Sequence, residues 1–179
     1  MPEIVIRPAV GNDIPALIRL EHFYETTHVW QMDRAVENGQ VSIGFQTVRL
    51  PRKVKVETPQ PSGWLEDGWK NQPGLLTAVF EDLPVGYICL SEGFGAGTAW
   101  VRDLRVAEKM RRKGIGTALI LAGHEWAAQR GYRRVLLEMQ SKNFPAICMA
   151  FKLGYDFGGY NDHYYTNQDI ALFFTRYLR

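Results

Sequence analysis

Cysteine is scarce in this chain, with only Cys89 and Cys148 among 179 residues. Both lie in mostly apolar segments, so they read as two buried thiols, which fit a reducing compartment better than a disulfide scaffold. Long apolar runs are missing too: nothing approaches the roughly 20 residues a spanning helix needs, so no membrane association is expected. Neither charge sign dominates. Lys plus Arg number 21 against 19 for Asp plus Glu, a formal charge of +2, so a nucleic-acid partner is not expected and any anion site must be a local cluster. The four histidines, His22, His28, His124 and His163, lack metal-ligand spacing, and no metal is expected. The opening Met1-Pro2-Glu3-Ile4 has neither a basic nor an apolar leader segment, which points to a cytoplasmic setting. Repeats, low-complexity tracts and shifts of composition are also lacking, so a single domain over 1–179 is expected.

What is present is an ordinary globular pattern. Ile4 to Arg7 reads as a strand closed by Pro8, and Asn12-Asp13 offers a cap for a helix with Ile14, Leu17, Ile18 and Leu20 on one face. Val41 to Val48 alternates like a strand that pairs with His28 to Asp33 across Glu37-Asn38-Gly39. Leu50 to Gly74 holds Pro51, Pro59, Pro61 and Pro73 and reads as a long loop beside a cleft, with a plain surface excursion as the alternative. Trp64 and Trp69 within it, like Trp30, either line a substrate wall or pack against the sheet. Leu75 to Phe80 and Val85 to Leu90 form a hairpin, and Thr98 to Val106 the next strand. Ile115, Ala118, Leu119, Ala122 and Trp126 mark a helical face that stops at Gly131. Tyr132 to Met139 is a strand, and Asn143 caps a short helix with Pro145 in its first turn, ending at Gly154. Tyr155 to Thr166 and Asp169 to Tyr177 read as two final strands. The expected class is α+β, in αβα layers: a mixed, mostly antiparallel sheet of six or seven strands with helices on both faces.

The segment that bears chemistry runs from Leu104 to Thr117. A strand ends near Val106, a loop with Arg111, Arg112 and Lys113 follows, and Gly114 and Gly116 open a helix. The first amides of a helix have no internal partner, and the peptide dipoles place positive potential there. A diphosphate can settle on them where glycine leaves the backbone bare. A plain flexible turn with solvated basic residues fits the same letters. A dinucleotide fold fits less well, because Leu119 stands where its third small residue belongs. A Walker-type loop is excluded by the lack of Gly-Lys-Ser/Thr.

Arg111-Arg-Lys-Gly-Ile-Gly116, preceded by Leu104-x-Val106, resembles the Arg/Gln-x-x-Gly-x-Gly/Ala signature of the GNAT superfamily of N-acetyltransferases. Asn143-x-x-Ala146 leading to Lys152-x-Gly154-Tyr155 resembles its second signature, and Pro84-Val-Gly86 its usual third strand. The resemblance covers residues 75 to 157 well and the first 20 weakly. Leu137-Glu-Met-Gln140, Tyr165-Thr-Asn167 and Asp169-Ile-Ala-Leu-Phe-Phe174 are similar to segments of the streptothricin acetyltransferases, and Val41 to Lys53 is a looser match to that branch.

This resemblance implies acetyl-coenzyme A as co-substrate, held by the backbone of Leu104, Arg105 and Val106 along its arm. Arg111, Arg112, Lys113, Gly114, Ile115, Gly116 and Thr117 would hold its diphosphate, and Asn143 would reach the arm. Glu138 is the candidate base, with Asp103 as the alternative. Both have plainer readings, Glu138 as a strand carboxylate facing solvent or paired with Arg133 or Arg134, and Asp103 as an outward carboxylate. Ala150 stands where the family often has the tyrosine that protonates the departing thiolate. Tyr165 is the substitute, with Tyr164 behind it; half-buried strand aromatics is the plain alternative for both. The implied reaction is N-acetylation of a primary amine on a small molecule such as a streptothricin-like antibiotic. A protein N-terminus or lysine is the alternative acceptor, and an acyl-coenzyme A sensor the alternative class. A homodimer is implied by resemblance alone.

Overall fold

The computed structural model describes residues 3–60 and 63–179. Its strands are β1 (Val5–Pro8), β2 (Phe23–Glu37), β3 (Gln40–Glu57), β4 (Gly74–Phe80), β5 (Leu83–Glu92), β6 (Thr98–Val106), β7 (Arg134–Gln140), β8 (Asp156–Asn161) and β9 (Ala171–Tyr177). The helices are α1 (Ile14–Ile18), α2 (Trp64–Gly68), α3 (Ile115–Gln129) and α4 (Phe144–Lys152). Seven strands form one sheet in the order β1-β4-β5-β6-β7-β9-β8, and β2 with β3 forms a separate hairpin. Only β6 and β7 run parallel; the other neighbours are antiparallel.

Period-two alternation divides the core between the two faces of the sheet. Leu76, Ala78, Ile88 and Leu90 pack with Ile115, Leu119 and Trp126 of α3. Leu75, Tyr87 and Cys89, one residue out of phase, pack with Ile14 and Leu17 of α1 and Leu65 of α2. The layered arrangement of strands and helices therefore matches expectation. Cys89 is buried, but Cys148 is exposed because it falls on the outer side of α4.

The largest departure is the hairpin. Pairing extends from Phe23↔Glu57 to Glu37↔Gln40, far beyond the strands the alternation suggested. Asn38 and Gly39 at its tip both have positive φ, as a two-residue turn between twisted strands requires. Leu50 to Glu57 belongs to β3, not to a loop. Pro51 is tolerated because the register breaks between Thr26 and His28, where no ladder amide is needed. The hairpin is fastened by aromatic packing: Trp30 lies 5.7–5.9 Å, centroid to centroid, from Phe45, Phe151, Phe157 and Phe174. The Trp30 amide also donates to the Ser141 carbonyl at 2.9 Å. Of the proline-rich stretch, 58–60 and 63–73 join β3 to β4, but they are not plain loop because they contain α2; Pro61 lies outside the described residues.

Tyr155 to Thr166 is not one strand. β8 stops at Asn161, and Tyr164 and Tyr165 lie in the loop that leads to β9. Asp13, expected as a cap, makes no side-chain cap bond to α1. It accepts two bonds from Arg7, at 2.7 and 2.9 Å, and one from the Val10 amide at 2.8 Å, which fastens β1 to the turn after it.

Candidate active site

The site begins where β6 and β7 stop pairing. Their parallel ladder lasts from Thr98↔Arg134 to Val101↔Leu137. Beyond it, β6 continues against β5 alone and β7 against β9 alone. The cause is local. Leu90 pairs with Val101 and Cys89 with Asp103, so Arg102 is an extra residue, and such a bulge bends and twists its strand. The two strands part into a wedge with a cavity on each side. One, of about 110 Å³, lies towards α4 and is lined by Leu104, Met139, Gln140, Asn143, Ala146 and Met149. The other, of about 350 Å³, is lined by Trp64, Cys89, Trp100 and Tyr164. Pro59, Gln60, Arg102, Asp103, Glu138 and Tyr165 border both.

The open edge of β6 presents backbone. The Ala107 amide donates to the Val85 carbonyl at 2.8 Å. Alternation along an antiparallel ladder then points the polar groups of Arg105 at β5 and those of Leu104 and Val106 into the wedge. Of the three residues expected to offer backbone, Arg105 therefore does not, because the sheet uses its groups. Its guanidinium is buried instead, donating to Asp103 at 3.0–3.1 Å and to the Gln60 carbonyl at 2.8 Å. The Val106 carbonyl accepts from Arg111 Nε at 2.9 Å, so Arg111 braces the edge rather than standing free.

Past Val106 the chain makes a short turn and enters α3. Gly114 has φ +86° and its carbonyl accepts the first helical bond, from Ala118, at 3.0 Å. Arg112 also has positive φ. Among the described residues, the amides of Arg112, Lys113, Gly114, Ile115, Gly116 and Thr117 donate to no protein acceptor. Ile115 contributes only backbone, since its side chain is buried. A Cβ at Gly116 would meet only Met149 Sδ at 3.8 Å, so packing does not demand glycine there. A bare run of amides at the positive end of a fifteen-residue helix is what an anion needs. Asn143 caps α4 by accepting from the Ala146 amide at 3.2 Å, which leaves its amide nitrogen for the cavity.

On the other side of the wedge, Glu138 collects three donors. Gln60 Nε2 lies at 3.2 Å, Tyr165 Oη at 2.9 Å and Tyr164 Oη at 2.8 Å. It pairs with neither Arg133 nor Arg134; Arg134 bonds to Thr98. Burial raises the Glu138 pKa above the ordinary carboxylate range, against the opposing pull of the two phenols and of Arg102. Burial and the adjacent carboxylate raise the Tyr164 pKa to about 12 and push Tyr165 still higher. Both tyrosines act from a loop, not from a strand as the plain reading had it, which is why they can lean over β7. Asp103, the alternative base, is engaged by Tyr87 Oη at 2.6 Å as well as by Arg105, so it is a buried ion pair and not an outward carboxylate. Ala150 is wholly buried, while Ala146 and Met149 of the same helix line the cavity. The missing tyrosine therefore leaves no gap in the wedge.

Trp64, one of the tryptophans that could line a substrate wall, does line the larger cavity, whereas Arg102, Trp100 and Gln60 were not singled out as site residues by sequence. Arg102 carried no signal, because its place as the extra residue of the bulge emerges only from the pairing of β5 with β6. Gln60 carried none, because only the fold of the hairpin and its following loop brings it to β7.

Comparison with known proteins agrees with this geometry. The model of the Acetyltransferase (GNAT) family matches residues 45–155. Streptothricin acetyltransferase A of Bacillus subtilis is 33% identical over 81 residues, which are 43% of this chain and 47% of that protein. The chain thus spans about half the length of that relative. Streptothricin acetyltransferase of Streptomyces lavendulae is 26% identical over 89% of this chain and 85% of that protein. Among solved structures, a nourseothricin acetyltransferase superposes with TM-score 0.81 at 21% identity, covering 98% of this chain and 99% of that one. A Bacillus anthracis protein described as a streptothricin acetyltransferase, solved with acetyl coenzyme A, has TM-score 0.76 at 18% identity, covering 98% and 100%. These superpositions speak for the fold.

Proposed function

Because the chain belongs to the acetyltransferase (GNAT) family, we propose that it transfers the acetyl group of acetyl-coenzyme A to a primary amine of a small molecule. The observation that carries this reading is the row of unpaired amides from Arg112 to Thr117, which adjoins the wedge where Gly116 faces Met149, together with Glu138 on the wedge's β7 wall. In this reading the amides receive the diphosphate, with Arg112 and Lys113 adding positive potential. The Leu104 and Val106 edge pairs with the amide-bearing arm as a strand would, and Asn143 donates to it. One edge amide faces the thioester oxygen and stabilises the charge that develops on it.

Glu138 removes a proton from the incoming ammonium, because only the neutral amine is a nucleophile. The nitrogen then attacks the thioester carbon and releases its second proton to solvent, the carbon–sulfur bond breaks, and the thiolate needs a proton. Tyr165 borders both cavities whereas Tyr164 borders only one, so Tyr165 is the group placed to supply it. While Glu138 is ionised, it holds the Tyr165 proton back. Once Glu138 has taken the amine proton that restraint is gone, and Tyr165 can pass its proton to sulfur and recover one from Glu138 across their hydrogen bond. Asp103, locked to Arg105, holds the wall instead of moving protons.

Streptothricin is the first acceptor to test, since two relatives carry its name. Thiol release from acetyl-coenzyme A is measured with streptothricin and a panel of amines, alongside calorimetric binding of coenzyme A. Release with at least one amine supports the proposal. Binding without release on any amine would favour a sensor, and no binding would end the reading.

A further inference from the structure

The larger cavity is bordered by two carboxylates that already hold protein donors and by a cation that pairs with no protein carboxylate among the described residues. Glu138 already accepts from Gln60, Tyr164 and Tyr165. Asp103 already accepts from Tyr87 and Arg105. Against these stand donors with nothing to bond. Arg102 borders both cavities, is exposed, and pairs with no carboxylate among the described residues. Its Cζ lies 5.8 Å from the centre of the Trp100 ring. Trp100, whose ring lines the same cavity, has its Nε1 buried without a protein acceptor among the described residues. Buried donors left unpaired are costly unless a ligand satisfies them.

The charges point the same way. Asp103 and Arg105 cancel each other. Glu138 loses its charge at the moment it works as a base. Arg102 then remains as the uncompensated charge of the wall, held there because the bulge inserts it as an extra residue between Val101 and Asp103. A polyamine would have to bring a second ammonium against this guanidinium.

Resting on the transferase reading above, we infer that the acceptor bears an anionic group, a carboxylate in the simplest case, near its reactive amine, and that Arg102 receives it. Arg102 is then the residue that sorts acceptors, because a guanidinium forks around a carboxylate. An acceptor that is cationic throughout, streptothricin included, is a poor fit to this wall.

The test uses ω-amino acids with chains of two to six carbons, each paired with its own carboxamide, together with cadaverine and streptothricin. The expected result is a kcat/KM for the best amino acid about tenfold or more above that of its amide, and above both polyamines. Arg102→Gln should abolish that preference, and Arg102→Glu should reverse it in favour of cadaverine. The affinity for acetyl-coenzyme A is followed in both variants. Faster turnover of cadaverine or streptothricin than of any amino acid by the wild type would overturn the inference. So would a fall in acetyl-coenzyme A affinity with acceptor preference unchanged, since Arg102 would then serve the donor. Absence of thiol release with every amine would instead strike the transferase reading, and this inference with it.

Discussion

The two sides of the wedge are built from different materials. The donor side is backbone: the Leu104 and Val106 edge, the bare amides of 112–117 and the start of α3, all within fourteen consecutive residues. The acceptor side is side chains drawn from Gln60, Trp100, Arg102, Glu138, Tyr164 and Tyr165, brought together by the sheet and two loops. Backbone recognition suits a ligand part that stays constant, since any residue can offer an amide. Side-chain recognition suits a part that varies, since one substitution alters it without disturbing the scaffold. The division implies that damage on the acceptor side should alter chemistry and selectivity, while damage on the donor side should alter affinity.

The largest expected effect is on the acceptor side. Glu138→Gln keeps the shape and most of the hydrogen bonds but removes the base, and kcat should fall about 10²–10⁴-fold. Acetyl-coenzyme A affinity, read by calorimetry, should stay within about twofold of wild type. In the wild type the kcat/KM profile should have an acid limb above the ordinary carboxylate range, because burial raises the Glu138 pKa and only the deprotonated form is active. The limb should vanish in the variant. Unchanged turnover would remove Glu138 as base, and a parallel loss of cofactor affinity would erase the division between the two sides.

The same division explains what the sequence could tell. The proposed diphosphate cradle is legible because it is contiguous: glycines at 114 and 116, three basic residues and a helical periodicity are all local signals. Even there, the pairing partner of Arg105 was not legible, since the phase of a ladder depends on where β5 lies. Glu138 was legible only through its position at a strand end and its likeness to the streptothricin branch. Its three donors come from a loop 78 positions before it and from residues 26 and 27 positions after it, so no window of sequence contains them. The hairpin was underestimated for a related reason. Pro51 marked 50–57 as loop, although the register break between Thr26 and His28 lets β3 carry it, and 34–37 are exposed on both faces, which blurs the alternation of a half-buried strand.

On the donor side, Gly116→Ala separates a glycine kept for the ligand from one kept for the fold. The new Cβ would meet only Met149 Sδ at 3.8 Å. Alanine is the better helix former, so unfolding stability should hold or rise by about 0.5–1 kcal/mol. The methyl group stands where the diphosphate must approach, and acetyl-coenzyme A affinity should weaken by about tenfold or more, as expected when a charge-assisted bond is lost. Denaturant melts and calorimetry on one preparation read the two effects with opposite signs. Loss of stability together with affinity would mean that the turn, not the ligand, requires glycine.

The smallest effect should come from Tyr165→Phe, and its value lies in direction more than size. The Tyr165 hydroxyl donates to Glu138 at 2.9 Å and so favours the charged carboxylate. Removing it leaves Glu138 with two donors and the same burial, and its pKa must rise further. The acid limb of kcat/KM should therefore move to higher pH, while kcat on the plateau falls about tenfold at most if the thiolate can take its proton from water. Tyr164→Phe should shift the limb in the same sense but leave the plateau nearly unchanged, because Tyr164 does not border the donor cavity. Equal plateau losses in the two variants would mean that neither tyrosine delivers a proton and that both serve only to hold the base.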